Sequence, residues 1–251
     1  MQKLPVITLL FWIMKICATT LGETAGDLLS MTLHIGYAIS SIILISVFLI
    51  TLITQLISRQ YIPILYWTVI VATSTAGTTI SDYMDRTLGL GYAKGTAILI
   101  GILLIILMLW RLSEGSLSVT KIKTFRGELF YWTAILFSNT LGTALGDFLA
   151  DNAGLGFVRG ALLIGSLIGL VIIAYYFTRI SRVVLFWVAF VLTRPFGATF
   201  GDLLTKLPAK GGLGFGTTGS SLILFFILAL LVIYSSFNNK KTSVEQLNIV
   251  F

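Results

Sequence analysis

The chain has 251 residues, 57% of them apolar and 11% charged, less than half the charged share of about 25% that is usual in soluble domains. That composition excludes a water-soluble globular protein, and four Pro with no long polar tract leave no room for a disordered linker or a separate soluble domain. The formal charge of +7 comes from 17 Lys and Arg against 10 Asp and Glu, and the single Cys, Cys17, permits neither an intrachain disulfide nor a thiolate metal cluster.

In chain order the elements fall into four copies of one pattern, a Trp with a Gly ten residues later and an Asp five beyond that Gly. The copies read Trp12, Gly22, Asp27; Trp67, Gly77, Asp82; Trp132, Gly142, Asp147; and Trp187, Gly197, Asp202, spaced 55, 65 and 55 residues apart. A second shared element follows each Asp: Ile35-Gly36-Tyr37, Leu90-Gly91-Tyr92, Leu155-Gly156-Phe157 and, after three extra residues, Leu213-Gly214-Phe215. Each copy supplies two spans. The second is clean: residues 35–58, 95–110, 160–178 and 211–239 carry no charge and approach or exceed the roughly 17 to 25 residues needed to cross a bilayer. The first is apolar but interrupted near its end by Gly, Thr, Ser and the Asp. Single strands would leave backbone groups unsatisfied in lipid, and the runs are too continuous for barrel strands.

The expected fold is therefore all-α and transmembrane, with eight helices as four parallel tandem helical hairpins, odd helices inside and even helices facing lipid. The repeats cover about residues 5–58, 60–112, 125–179 and 181–239 of a single integral membrane domain, 1–251, with a cytoplasmic tail at 240–251. Residues 4–14 could imitate a signal peptide, but they belong to the first repeat and are expected to be retained. Basic residues concentrate at the termini and the joins between copies; the turns within copies hold Arg86, Lys94, Arg159, Lys206 and Lys210. Both termini should face the cytoplasm, and an even number of spans per copy makes the repeats parallel about an axis along the membrane normal.

Counting each Trp as zero, positions 7, 11 and 15 stack on one helical face. They are Thr19, Glu23, Asp27; Ser74, Thr78, Asp82; Asn139, Thr143, Asp147; and Arg194, Ala198, Asp202. Positions 10 and 14 are small in every copy (Gly22 and Gly26, Gly77 and Ser81, Gly142 and Gly146, Gly197 and Gly201), a spacing that lets helix backbones approach closely. Polar column and small seam share an arc, so the odd helices should pack with these faces inward. Carboxylates converging from four helices repel one another unless a cation or protons relieve them. Lys15 lies near the same column, and Arg194, followed by Pro195, breaks the four-fold pattern most sharply.

Structural readings stand beside these. An Asp at a helix end also marks the water interface, the Gly pairs serve packing, and the Trp residues fit interfacial or packing aromatics. Glu23 and Arg194 resist that reading best, because a charge inside a span costs roughly 2.5 to 3.5 kcal/mol or more; paired with each other, they would be structural.

The W-x9-G-x4-D copies resemble a family of bacterial membrane proteins known only as a four-fold repeat of unknown function, over a stretch from about Phe11 to about Tyr234. The resemblance implies a bacterial inner-membrane location and supports eight spans. It brings no activity, substrate or catalytic residue.

The columns point first to a transporter or channel-like carrier for a hard cation, whether a proton, Na+, Mg2+ or Mn2+, because carboxylate, hydroxyl and amide oxygens suit such ions. Glu23, Asp27, Asp82, Asp147 and Asp202 would be the cation ligands, and Thr19, Ser74, Thr78, Asn139, Thr143 and Arg194 would line the substrate pathway. Two alternatives are a non-transporting membrane scaffold or assembly factor, and a proton-coupled carrier of an organic anion anchored by Arg194 and Lys15. No nucleophile-base pair, His-rich ligand set or phosphate loop argues for an enzyme or a cofactor. The lipid bilayer and a small cation or proton are the expected partners, a homo-oligomer is compatible, and nucleic acid is not expected. Loop 112–127, with Lys121, Lys123 and Arg126, suits lipid headgroups.

Overall fold

A computed structural model describes residues 4–248, with side chains to Phe237. The C-terminal tail expected at 240–251 thus lies outside the residues described with side chains. Among the described residues there is no strand, and eight long helices follow one another: α1 Leu9–Asp27, α2 Tyr37–Ile57, α3 Pro63–Asp82, α4 Tyr92–Glu114, α5 Phe125–Asp147, α6 Gly156–Phe177, α7 Arg182–Thr205 and α8 Thr217–Asn248. The fold is an all-helical transmembrane one. Six helices are long and apolar enough to cross by length and composition alone. The other two, α1 and α5, have 19 and 23 residues, but carry Lys15, Glu23 and Asp27 in one and Arg126, Glu128 and Asp147 in the other. Those charges lower their apolar character, and in α1 all three are buried within the protein.

The four odd helices form a closed ring in which α1 packs on α3, α3 on α5, α5 on α7 and α7 back on α1. A single contact rule repeats around it. The position-10 glycine of each copy meets the position-7 residue of the next: Gly22 meets Ser74, Gly77 the backbone at Asn139, Gly142 meets Arg194, and Gly197 meets Thr19. One turn on, Gly26 meets Thr78, Gly146 meets Ala198 and Gly201 meets Glu23. Any side chain at these glycines would push the neighbouring helix away, so the small seam sets the close approach of the ring.

The even helices do not cover the odd helix of their own copy. Instead α2 lies on α3, α4 on α5, α6 on α7 and α8 on α1, so every outer helix straps its copy to the following one and the last closes on the first. This arrangement refines the expected hairpins: the two helices of a copy are neighbours in sequence but pack mainly with other copies. Ile42, Ile50, Leu104, Leu162, Phe226 and Leu230 on the outer helices are exposed, as a lipid-facing surface requires.

The glycine after each odd helix has a conformational reason. Gly36, Gly91 and Gly156 all take φ between 67° and 81°, and the same backbone in the fourth copy falls on Gly216, φ 72°, from which α8 starts. The extra residues of that copy therefore shift the structural equivalent two places beyond Gly214, although Gly214 is left-handed as well. The first three odd helices also end in a π-helical turn, at Leu28–Thr32, Tyr83–Thr87 and Phe148–Asn152; the fourth replaces it with a loop and the short 3-10 turn Pro208–Lys210.

A Cβ at Gly77 would lie 2.9 Å from the Thr140 backbone nitrogen and 3.0 Å from the Asn139 carbonyl carbon, whereas one at Gly101 meets nothing within 4 Å. Gly77→Ala should lower unfolding stability in detergent by about 1 to 3 kcal/mol. Gly101→Ala should leave it unchanged or raise it by up to about 1 kcal/mol.

Candidate functional site: a charged column inside the ring

Three levels stack along the axis of the inner ring. The lowest is aromatic. Here the residue before each Trp faces the Trp of the next copy: Phe11 with Trp67 at 5.6 Å between ring centroids, Tyr66 with Trp132 at 5.5 Å, Tyr131 with Trp187 at 6.4 Å and Phe186 with Trp12 at 5.7 Å. Trp67, Trp132 and Trp187 are buried, so these aromatics plug the bundle and are not an exposed interfacial belt. The hydroxyls of Tyr66 and Tyr131 share a 2.7 Å hydrogen bond within the plug.

The middle level is built around Arg194, which is fully buried. Its guanidinium lies 3.0 Å from Glu23 Oε2 and donates to the Thr143 hydroxyl at 2.7 Å, to the Thr78 hydroxyl, and to the Thr19 and Ser74 carbonyls at 3.4 Å. Thr78 and Thr143 donate in turn to Glu23 Oε2, each at 3.2 Å. Helices from all four copies thus meet on one ion pair. Position 7 of the second copy contributes its carbonyl, since Ser74 Oγ has no hydrogen-bond partner among the described residues; the Arg194 Nε is likewise without one. Thr19 Oγ1 caps carbonyls of Lys15, Ile16 and Thr193. Nearer the plug, Lys15 is also fully buried, with its ammonium 3.4 Å from Asn139 Oδ1 and 4.1 Å from the centroid of Phe190. The Asn139 amide donates to Thr73 Oγ1 at 3.0 Å.

At the top, Asp27, Asp82, Asp147 and Asp202 are all buried. Two basic side chains divide them into pairs. Arg86 lies 2.8 Å from Asp82 and 3.2 Å from Asp147; Lys206 lies 2.7 Å from Asp27 and 3.0 Å from Asp202. Each cation bridges the Asp of its own copy to the Asp of the next. Burial disfavours the Lys206 ammonium, but Asp202 and Asp27 beside it hold its pKa above that of a free lysine. Glu23, Asp27 and Asp202 bring ligand oxygens within 4.8 Å of one another, while Asp82 and Asp147 belong to the Arg86 pair. The five expected cation ligands therefore lie in the top and middle levels of one bundle as two subsets.

From the sequence, Arg86 and Lys206 stand only as basic residues in the turns within copies. Their spacing held the missing signal: each lies four residues after its Asp, which on a helix puts opposite charges side by side. The corresponding residues of the other copies are Met31 and Asp151, so only alternate copies provide a cation.

Four successive stretches, residues 10–61, 65–116, 130–181 and 185–241, match the model of a family described as a Repeat of Unknown Function (DUF347). The chain belongs to this family. No curated protein and no solved structure matches it. The four matched stretches coincide with the four copies that form the ring, so the DUF347 repeat in this chain is one inner helix with its outer strap.

Glu23 and Arg194 bury opposite charges against each other, and removing one partner strands the other. Glu23→Gln or Arg194→Gln should each destabilise the protein by about 3 to 5 kcal/mol, read as a fall in thermal midpoint. The double variant should recover part of that loss if the pair is coupled as its geometry shows.

Proposed function

We propose that this protein is an inner-membrane carrier for protons or a hard cation such as Na+, Mg2+ or Mn2+, working through the carboxylates at the top of the ring. The observation that supports this reading is the pair of tethered cations. Lys206 holds its ammonium between Asp27 and Asp202, with Glu23 close by, and Arg86 does the same between Asp82 and Asp147. A small cation or a proton arriving at either pair competes with a side chain for the same oxygens. The tethered group keeps the carboxylates from repelling one another when the substrate is gone, and it lowers the affinity so that the substrate can leave. With side-chain exposures of 31% and 20%, Arg86 and Lys206 are the members of this cluster most open to the surroundings, and so the ones free to swing aside. Glu23, one turn below Asp27, would receive the substrate next and loosen its bond to Arg194.

The excess of Lys and Arg at the termini and between copies supports an orientation with both termini cytoplasmic and the acidic level on the opposite face. A scaffold role is the second reading. It is favoured by the fact that the four Asp and Glu23 already have ion-pair partners within the chain, which would make the column interhelical glue.

The two readings separate in proteoliposomes. Wild-type protein should conduct protons or one of the three cations, and the Asp82→Asn, Asp147→Asn double variant should reduce that flux at least about tenfold, a loss of about 1.4 kcal/mol of transition-state stabilisation. Flux that is unchanged in the variant, or no flux of any of the four ions in the wild type, would contradict the carrier reading.

A further inference from the structure

A second site lies at the other end of the molecule, where the middle join is ten residues longer than the others. A cavity of about 400 Å³ opens between the end of α4 and the start of α5, lined by Glu114, Ser116, Ser118, Lys121, Lys123 and Gly127 among others. The join that frames it is fixed in place. Gly115, in the left-handed conformation at φ 71°, ends α4; Trp187 Nε1 donates to the Leu117 carbonyl at 3.0 Å; and Leu117, Val119 and Ile122 pack against the core. Ser116 Oγ accepts from the Ser118 amide, and the Ser118 and Thr120 hydroxyls share a hydrogen bond.

One negative and two positive side chains line this cavity without pairing with one another. None of Glu114, Lys121 and Lys123 forms an ion pair with another described residue. Glu114 accepts a 2.7 Å hydrogen bond from the Thr124 hydroxyl, the same group that caps α5 by accepting from Gly127 N–H. The Glu114 carboxylate therefore lies at the start of α5, its Oε2 3.4 Å from where a Cβ on Gly127 would stand. The cavity therefore offers two ammonium groups and hydroxyls together with a carboxylate.

We propose that this cavity binds a zwitterion consisting of a phosphodiester and a primary ammonium, the headgroup of an ethanolamine phospholipid. Lys121 and Lys123 hold the phosphate, and Glu114 accepts from the ammonium. A bare phosphate would use only the basic face. A trimethylated ammonium has no N–H to give Glu114, and an uncharged glycerol headgroup has no cation for it. The position of the cavity beside the aromatic end of the bundle, at the ends of two spanning helices, suits a lipid of the adjoining leaflet; free glycerophosphoethanolamine offers the same chemistry from solution.

The test is thermal unfolding of the delipidated full-length protein with ethanolamine, choline and glycerol phospholipids of one chain length, and with free glycerophosphoethanolamine. The ethanolamine lipid should reach half-maximal stabilisation at a concentration about tenfold lower than either other lipid, the ratio one charge-assisted hydrogen bond supports. Glu114→Gln should erase that preference while leaving binding of the glycerol lipid intact, which shows the variant is folded. Lys121→Ala with Lys123→Ala should weaken all three lipids. Stabilisation by the free headgroup at least equal to that by the lipid assigns the soluble source. Equal response to the three lipids in the wild type, a preference that survives Glu114→Gln, or no response to any of these ligands would overturn the proposal.

Discussion

An ionised carboxylate cannot stand alone inside an apolar bundle, and that constraint organises this molecule. The repeat register carries Asp27, Asp82, Asp147 and Asp202 to one level, and Glu23 lies one turn deeper. Small residues at positions 10 and 14, all glycine but Ser81, bring the helices close enough for side chains of neighbouring copies to share partners. Arg194, Arg86 and Lys206 then give every one of these acids an ion-pair partner, at two levels, and the bundle closes around them. Without the close approach the acids would lack partners; without the basic groups the close approach would concentrate repulsion.

The backbone is four-fold in character, while the charges are not. Seam glycines and aromatic plug obey one rule in every copy. Tethered cations appear only in the second and fourth copies, which matches the 55, 65, 55 spacing of a pair of pairs. Arg194 and Lys15 reduce the symmetry further, because each is a buried charge whose counterparts in the other three copies are uncharged. Packing can repeat as often as the geometry allows, but a charge on the axis can be supplied only once.

Much of this was legible in sequence. The Trp, Gly and Asp positions recur in register, so the inner helices and their inward face followed from spacing, while a pairing of Glu23 with Arg194 was one of the alternatives it offered. Two features did not. The apolar outer helices carry no pattern that says which inner helix they cover, and their strapping of each copy to the next emerged only from the fold. The roles of Arg86 and Lys206 were hidden because their partners, Asp147 and Asp27, come from another copy; the i, i+4 relation to Asp82 and Asp202 gave half of each bridge. Trp67, Trp132 and Trp187 also illustrate how a residue type common at membrane interfaces turns inward when its neighbours around a ring are aromatic.

The central claim is that Lys206 occupies, as a tethered ammonium, the place of a mobile cation. The most direct measurement is the uptake of protons and of Mn2+ by purified protein at neutral pH, comparing wild type with Lys206→Gln. If the ammonium is a stand-in, the variant must replace the lost charge and should bind about one additional cation per chain at Asp27, Asp202 and Glu23, either a proton or a Mn2+ ion. Identical uptake by the two proteins, with the variant still folded, would contradict the account.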